Sequence, residues 1–305
     1  MSQSNSNIKS YLHLHFLVFL WGFTAILGKL ISVPSMEIVF YRTTLAFIFL
    51  YGIIKTRDLK LHLARRDFFK IFGTGLIIAI HWTLFFLAVE LSNVSICLSG
   101  IATVSLWTSI LEPIVMKRKI KLYEPLLGIL AIVGISVVFK SAFDQYLGFI
   151  TAVGSAFLAS VFTVINGRLV KKNDHYVISF YQMIGASLTM ALLITFYSFL
   201  GRQSSLMLAF NASDLFYLIV LSLVCTVYAY SSSIKLMHKL SAFAITLTVN
   251  LEPVYGIIIA VVLFSETEQM DTSFYWGTAI ILASVLLYPL LSHLDKRQEL
   301  KNSRT

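Results

Sequence analysis

An ionisable side chain inside an oily helix is there to meet something, because a charge near a bilayer centre costs at least a few kcal/mol. Residues 247–258 read LTVNLEPVYGII and set Glu252 beside Pro253; residues 109–115 read SILEPIV and set Glu112 beside Pro113. Proline removes a helix hydrogen bond, so each triplet joins a titratable oxygen to a helix break. Pro253 leaves the carbonyl of Val249 without its helix partner. Asn250 and the hydroxyls of Thr246 and Thr248 stand near enough to help satisfy that backbone. Inside membranes such breaks line water-filled cavities, where freed carbonyls can meet a solute. Arg42 is the one cation well inside an apolar run, and it needs a carboxylate or an anionic ligand. His81 and Trp82 form a polar-aromatic pair, and Trp107, Tyr228 and Tyr230 (with Ser231) offer rings for stacking.

The elements that carry these residues are membrane helices. The 305 residues are 57% hydrophobic and 13% charged, with a mean hydropathy of +0.81. A soluble domain averages about 45–50% apolar and about 25% charged. A spanning helix needs about 20 mostly apolar residues, which predicts ten: 12–31, 36–54, 68–91, 94–116, 124–140, 146–168, 176–200, 214–236, 241–264 and 274–293. The first is read as a retained helix, because no small-residue cleavage site stands out after it. Cys97 and Cys225 fall inside apolar runs and imply neither a disulfide framework nor a metal site.

The net charge of +9 lies in short pieces between apolar runs, which fits a topology signal better than a nucleic-acid footprint. With the N-terminus inside, the cytoplasmic connections hold Lys9; Lys55, Arg57, Lys60, Arg65, Arg66 and Lys70; and Lys117, Arg118, Lys119 and Lys121. They continue with Arg168, Lys171 and Lys172; Lys235 and Lys239; and Lys296, Arg297, Lys301 and Arg304. Those are twenty, against Lys29, Lys140 and Arg202 on the outer side. The expected product is a multi-pass protein of the plasma membrane with both termini cytoplasmic. No connection exceeds roughly fifteen residues and no GxxxxGK[ST] occurs, so the chain has no room for a nucleotide-binding domain.

The chain repeats itself. Leu111-Glu112-Pro113 and Leu251-Glu252-Pro253 lie 140 residues apart, as do Phe40-Tyr41-Arg42 and Phe180-Tyr181-Gln182; Gly28-Lys29-Leu30 and Gly167-Arg168-Leu169 lie 139 apart. These anchors divide the chain into 1–141, 142–294 and a tail at 295–305. Five spans per half is an odd number, so the halves point oppositely through the membrane. The expected fold is an all-α integral membrane protein of ten helices in two inverted five-helix repeats.

Further anchors are Trp21-Gly22, Leu263-Phe264-Ser265-Glu266, Gly277 with the run Ala279 to Ala283, and Gly128 with Leu130 to Gly134. In this order the motifs resemble the drug/metabolite transporter superfamily, specifically its bacterial EamA-type members with ten spans. Where the second half has FSETEQ, the first has MKRKIKLYE, so the family's glutamate at that turn has no counterpart there. The resemblance implies export or exchange of small metabolites, often amino acids, with no bound cofactor and no enzymatic activity.

Depth separates the two glutamates. Glu252 lies about 16 Å from the cytoplasmic start of its span, near the midplane, and is expected at a site or gate. Glu112 lies about 6–8 Å from the interface, close enough to pair with the following cations, and is expected to anchor or gate. Arg42 is about 9 Å deep from the outer side. Glu252 could clamp Arg42 or a substrate ammonium, or take up a proton and couple transport to a gradient. Trp21-Gly22 reads as a close-packing notch for a neighbouring helix. The expected partners are a small-molecule substrate and the lipid bilayer, with no nucleic acid; a homodimer is left open. An intramembrane enzyme acting on a lipid or peptide is the alternative, but HExxH, GxGD and paired intramembrane aspartates are missing. A receptor or scaffold is a third, and neither needs two inverted halves.

Overall fold

The computed structural model describes residues 2–92, 94–139, 146–200, 211–252, 254–256, 259 and 272–302. Pro253, the Leu263 to Glu266 motif and the boundary at 141/142 lie outside the described residues. Every regular element among the described residues is a helix: α1 (Ser2–Leu30), α2 (Ser35–Thr56), α3 (Arg65–Leu91), α4 (Val94–Ile101), α5 (Val104–Met116), α6 (Tyr123–Phe139), α7 (Tyr146–Leu169), α8 (His175–Phe199), α9 (Ala212–Val220), a π-helical segment (Leu221–Tyr228), α10 (Ala229–Leu236), α11 (Ala242–Val249) and α12 (Thr272–Asn302). Six stretches are long and apolar enough to cross a membrane: 35–56, 65–91, 146–169, 175–199, 212–236 and 275–295. Two shorter apolar stretches cover 104–116 and 123–137. The count of ten goes beyond these and belongs to the functional reading.

Local chemistry explains the boundaries. Asp174, Asn211 and Ser241 precede α8, α9 and α11, and each side chain accepts a backbone N–H of the first turn, at 2.8, 2.6 and 3.0 Å. Helix α5 ends where Lys117 turns left-handed at φ 55° and Arg118 N donates to the Pro113 carbonyl. Pro113 therefore sits in the last turn rather than breaking the helix midway. The Ser/Thr-rich stretch expected as one span over 94–116 is instead two helices, because the chain turns at Ala102-Thr103, where the Thr103 hydroxyl bonds the Gly100 carbonyl at 2.7 Å.

The halves pack against each other element by element. Helix α2 lies on α8, α3 on α7 and α8, α5 on α7 and α11, α6 on α12, and α1 on the π-helical segment and α10. Where two of these helices come closest, glycines meet. A Cβ on Gly75 would lie 2.3 Å from the Gln182 carbonyl oxygen, and one on Gly185 would lie 2.5 Å from that of Phe72. Gly22 faces Tyr255 and Gly256 in the same manner, a Cβ there meeting Gly256 N at 3.0 Å. Trp21-Gly22 thus includes the notch that its sequence suggested.

Candidate functional site

A cavity of about 140 Å³ opens among helices of both halves. Its walls carry Trp21 and Thr24 from α1, Arg42 from α2, His81 and Trp82 from α3, and Phe162 and Asn166 from α7. Cys225 of the π-helical segment, Tyr230 of α10, Thr246 of α11 and Glu252 also line it.

Arg42 is 3% exposed. Its Nε donates to the Thr226 hydroxyl at 2.7 Å, and its guanidinium carbon stands 4.1 Å from the centre of the Trp82 ring. A cation over an indole face is held by the ring's negative face. Thr226 is available because the helix is π-wound there: its hydroxyl reaches back five residues to the Leu221 carbonyl at 3.2 Å. The Cys225 carbonyl accepts the Trp21 indole N–H at 3.0 Å. A π-turn inside a longer helix commonly marks a functional position, and here it holds side chains of α1 and α2 together. The two terminal nitrogens of Arg42 bond no described residue, so four N–H donors remain for a ligand.

His81 is fixed by a reciprocal pair. Its Nδ1 lies 2.9 Å from the Ser155 carbonyl oxygen and 2.8 Å from the Ser155 hydroxyl, which in turn donates to the His81 carbonyl at 2.8 Å. A carbonyl can only accept, so the Ser155 carbonyl favours a proton on Nδ1. Glu252 has neither a hydrogen bond nor an ion pair with a described residue. It shares the cavity with Arg42 but does not touch it.

Two stretches of the chain, 9–140 and 146–289, each match the EamA-like transporter family. The chain belongs to that family. A crystal structure of a protein 15% identical superposes with a TM-score of 0.76, covering 93% of this chain and 98% of that one, a likeness of fold. No curated protein matches the chain. The protein is therefore a membrane transporter of small molecules built from two EamA repeats.

Of the residues singled out in the sequence of this EamA-like transporter, Arg42, His81, Trp82, Tyr230 and Glu252 come together at the cavity. Four do not line it. Tyr228 is exposed on the outer surface of the bundle, where its hydroxyl meets His13 Nε2 at 3.2 Å. Trp107 packs edge-on against Phe157, turned away from the cavity. Asn250 points to α5, its amide donating to Ser105 Oγ at 2.9 Å while its oxygen is buried without a partner among the described residues.

Glu112 is the fourth. Its Oε2 accepts the backbone N–H of Phe243 at 2.9 Å, in the first turn of α11, and lies 3.4 Å from Arg118. Arg118 also donates to Glu124 at 2.7 Å. An anion at a helix N-terminus satisfies free N–H groups and the helix dipole together. Nearby, Lys121 pairs with Asp295 and, at 3.5 Å, with Glu299, and the Ser241 and Tyr288 hydroxyls meet at 2.8 Å. On the opposite side Ser32 gives Asp214 both a backbone and a hydroxyl hydrogen bond, at 2.9 and 2.6 Å. Polar contacts thus join the halves at two separate places.

Sequence reasoning missed Thr226, Asn166 and Thr24. Asn166 was the most legible of them, as an isolated carboxamide in an otherwise apolar stretch. Its Oδ1 accepts from Gln182 Nε2 at 2.6 Å, its Nδ2 donates to the Tyr230 hydroxyl at 2.9 Å, and that hydroxyl donates to Gln182 Oε1 at 2.8 Å. Three residues from α7, α8 and α10 form a closed ring, and Gln182 is the repeat counterpart of Arg42.

Proposed function

We propose that the protein is a secondary transporter that exports or exchanges an amino-acid-like metabolite by alternating access between two inverted halves. The observation that carries this reading is the buried Arg42 guanidinium, held from two sides by Trp82 and Thr226, with its four terminal N–H groups unspent among the described residues at the wall of the cavity. A guanidinium in that state receives a carboxylate through paired hydrogen bonds. Glu252, equally unpartnered among the described residues, receives the cationic end. A zwitterion completes both groups at once and replaces the water each would otherwise require.

Ten spans, with both termini in the cytoplasm and the plasma membrane as location, follow from the hydropathy and the twenty-to-three distribution of basic residues. A two-fold relation between the halves is supported by the way counterpart helices pair, α2 with α8 and α6 with α12, and five spans per half would make that relation an inversion. In this reading the Glu112–Arg118 cluster and the Ser32–Asp214 pair belong to opposite gates, which open in alternation around the fixed cavity.

Purified protein in liposomes preloaded with unlabelled amino acids tests the reading. Counterflow of a labelled amino acid, lost in Arg42→Gln, is the expected result. No flux of any amino acid in an active preparation, or normal flux in Arg42→Gln, overturns it.

A further inference from the structure

Arg42 and Gln182 occupy the same place in the two repeats, yet they have opposite fates. Arg42 keeps its terminal nitrogens for the cavity, whereas Gln182 is wholly buried and spends its amide on Asn166 and Tyr230. The ring they form costs three desolvated polar side chains on three helices, more than packing alone requires, since an apolar trio of similar size would fill the space. Two of the three, Asn166 and Tyr230, stand on the cavity wall.

Among the described residues, the hydrogen-bond inventory of the ring leaves specific atoms unspent. Asn166 Nδ2 has two hydrogens and gives one to Tyr230. The Tyr230 oxygen has two lone pairs and accepts one hydrogen bond, while its own proton goes to Gln182. A donor and an acceptor therefore remain side by side, on atoms 2.9 Å apart. The group complementary to an adjacent donor and acceptor carries an acceptor and a donor at similar spacing. A primary carboxamide does, and a hydroxyl does with one oxygen. A carboxylate offers only acceptors and meets the tyrosine lone pair unfavourably, and an alkyl group meets neither atom.

We infer that Asn166 and Tyr230, held by Gln182, form a second and uncharged subsite of the cavity that selects substrates bearing a carboxamide or hydroxyl group. The inference rests on the amino-acid reading of the Arg42 end and adds the side-chain preference. Arg42 receives the charge common to all amino acids; the ring reads what distinguishes them. Gln182 is a positioning residue, because it contacts the two reading groups from behind.

The test is competition binding on the purified full-length transporter, comparing L-glutamine with L-leucine, which differ in the group offered to the ring. The wild type is expected to favour L-glutamine. Tyr230→Phe removes the acceptor, and the glutamine-to-leucine affinity ratio is expected to fall about tenfold, the worth of one neutral hydrogen bond. Asn166→Asp, nearly isosteric, removes the donor and is expected to shift the ratio in the same direction, which covers the case in which the tyrosine variant fails to fold. Arg42→Gln is expected to weaken both ligands alike. An unchanged ratio in both ring variants, or a wild type that prefers L-leucine, overturns the subsite while leaving the Arg42 reading intact. Binding of neither amino acid to the wild type overturns both.

Discussion

Glu112 and Glu252 sit at the same place in the two repeats and do different work. The first is fully engaged: it receives the Phe243 N–H at the start of α11 and lies beside Arg118, which also holds Glu124. The second has no described partner and faces the cavity. Duplication supplied one local motif, a carboxylate beside a proline, and the surroundings decided its role. Near a helix N-terminus and a basic turn, the carboxylate became a bolt between the halves. Sharing a cavity with Trp21, Arg42 and Cys225, Glu252 has no partner among the described residues and is the one proposed to meet a ligand. Arg42 and Gln182 repeat the lesson with the halves exchanged, the charged member now in the first half and the neutral one in the second.

The comparison presumes inversion, and topology is where it breaks most completely. Reporter fusions after residues 60, 120 and 300 are expected to read cytoplasm, and fusions near 34, 205 and 269 the outer side. A cytoplasmic signal at 205 would return the halves to parallel orientation and remove the two-fold relation between the glutamates. The next largest effect belongs to the cavity charges. Glu252→Gln is expected to lower transport at least a hundredfold, whereas Glu112→Gln at matched expression retains most of it. Counterflow at several values of pH then sharpens the role of Glu252. Loss of proton coupling with exchange retained identifies a protonation switch; loss of both identifies a clamp on the substrate ammonium.

For Glu112 the effect is on stability. Replacing it by glutamine weakens a charge-assisted hydrogen bond and an ion pair, and a loss of about 1–3 kcal/mol is expected, read as a lowered melting temperature in detergent. The smallest effect is at Lys121 on the same side. Burial opposes its charge, but the hydrogen bond to Asp295 and the neighbouring carboxylates outweigh that and raise its pKa. A raised pKa stabilises the fold at all pH values below the ordinary lysine range, and the contribution fades as pH climbs through the raised value. Lys121→Met is therefore expected to cost less than about 1 kcal/mol near neutrality, with the difference from wild type closing in strong alkali.

The sequence was informative about depth and poor about rotation. Hydropathy placed the six long apolar stretches to within a few residues but missed the break inside 94–116, and the repeat was legible from three short anchors. Arg42, His81, Trp82, Tyr230 and Glu252 share one cavity, but nothing in their spacing tells that Trp107 and Tyr228 face elsewhere. In a soluble helix the polar face announces itself; in a lipid-facing bundle both faces are apolar, and the phase around the axis is lost. Tyr228 and Tyr230 are two residues apart and point to opposite environments, one to the bundle's exterior and one to the ring. Thr226 was hidden for another reason. Its reach to Arg42 depends on the π-winding of residues 221–228, which no propensity in the sequence LSLVCTVY declares. The break at Ala102-Thr103 was foreshadowed only by the density of serine and threonine around it.

Gly75 and Gly185 meet at the seam between α3 and α8, where main chain touches main chain. Interlocked side chains resist sliding as gear teeth do, since each must leave its socket before the next can be entered. A glycine contact has no teeth. The seam can act as a plain bearing, on which one half rocks past the other by small continuous displacements. The Gln182 carbonyl lies in that bearing surface, directly behind the polar ring. Movement along the seam would therefore displace Gln182 as it proceeds, so the proposed reading ring and the joint share one turn of helix.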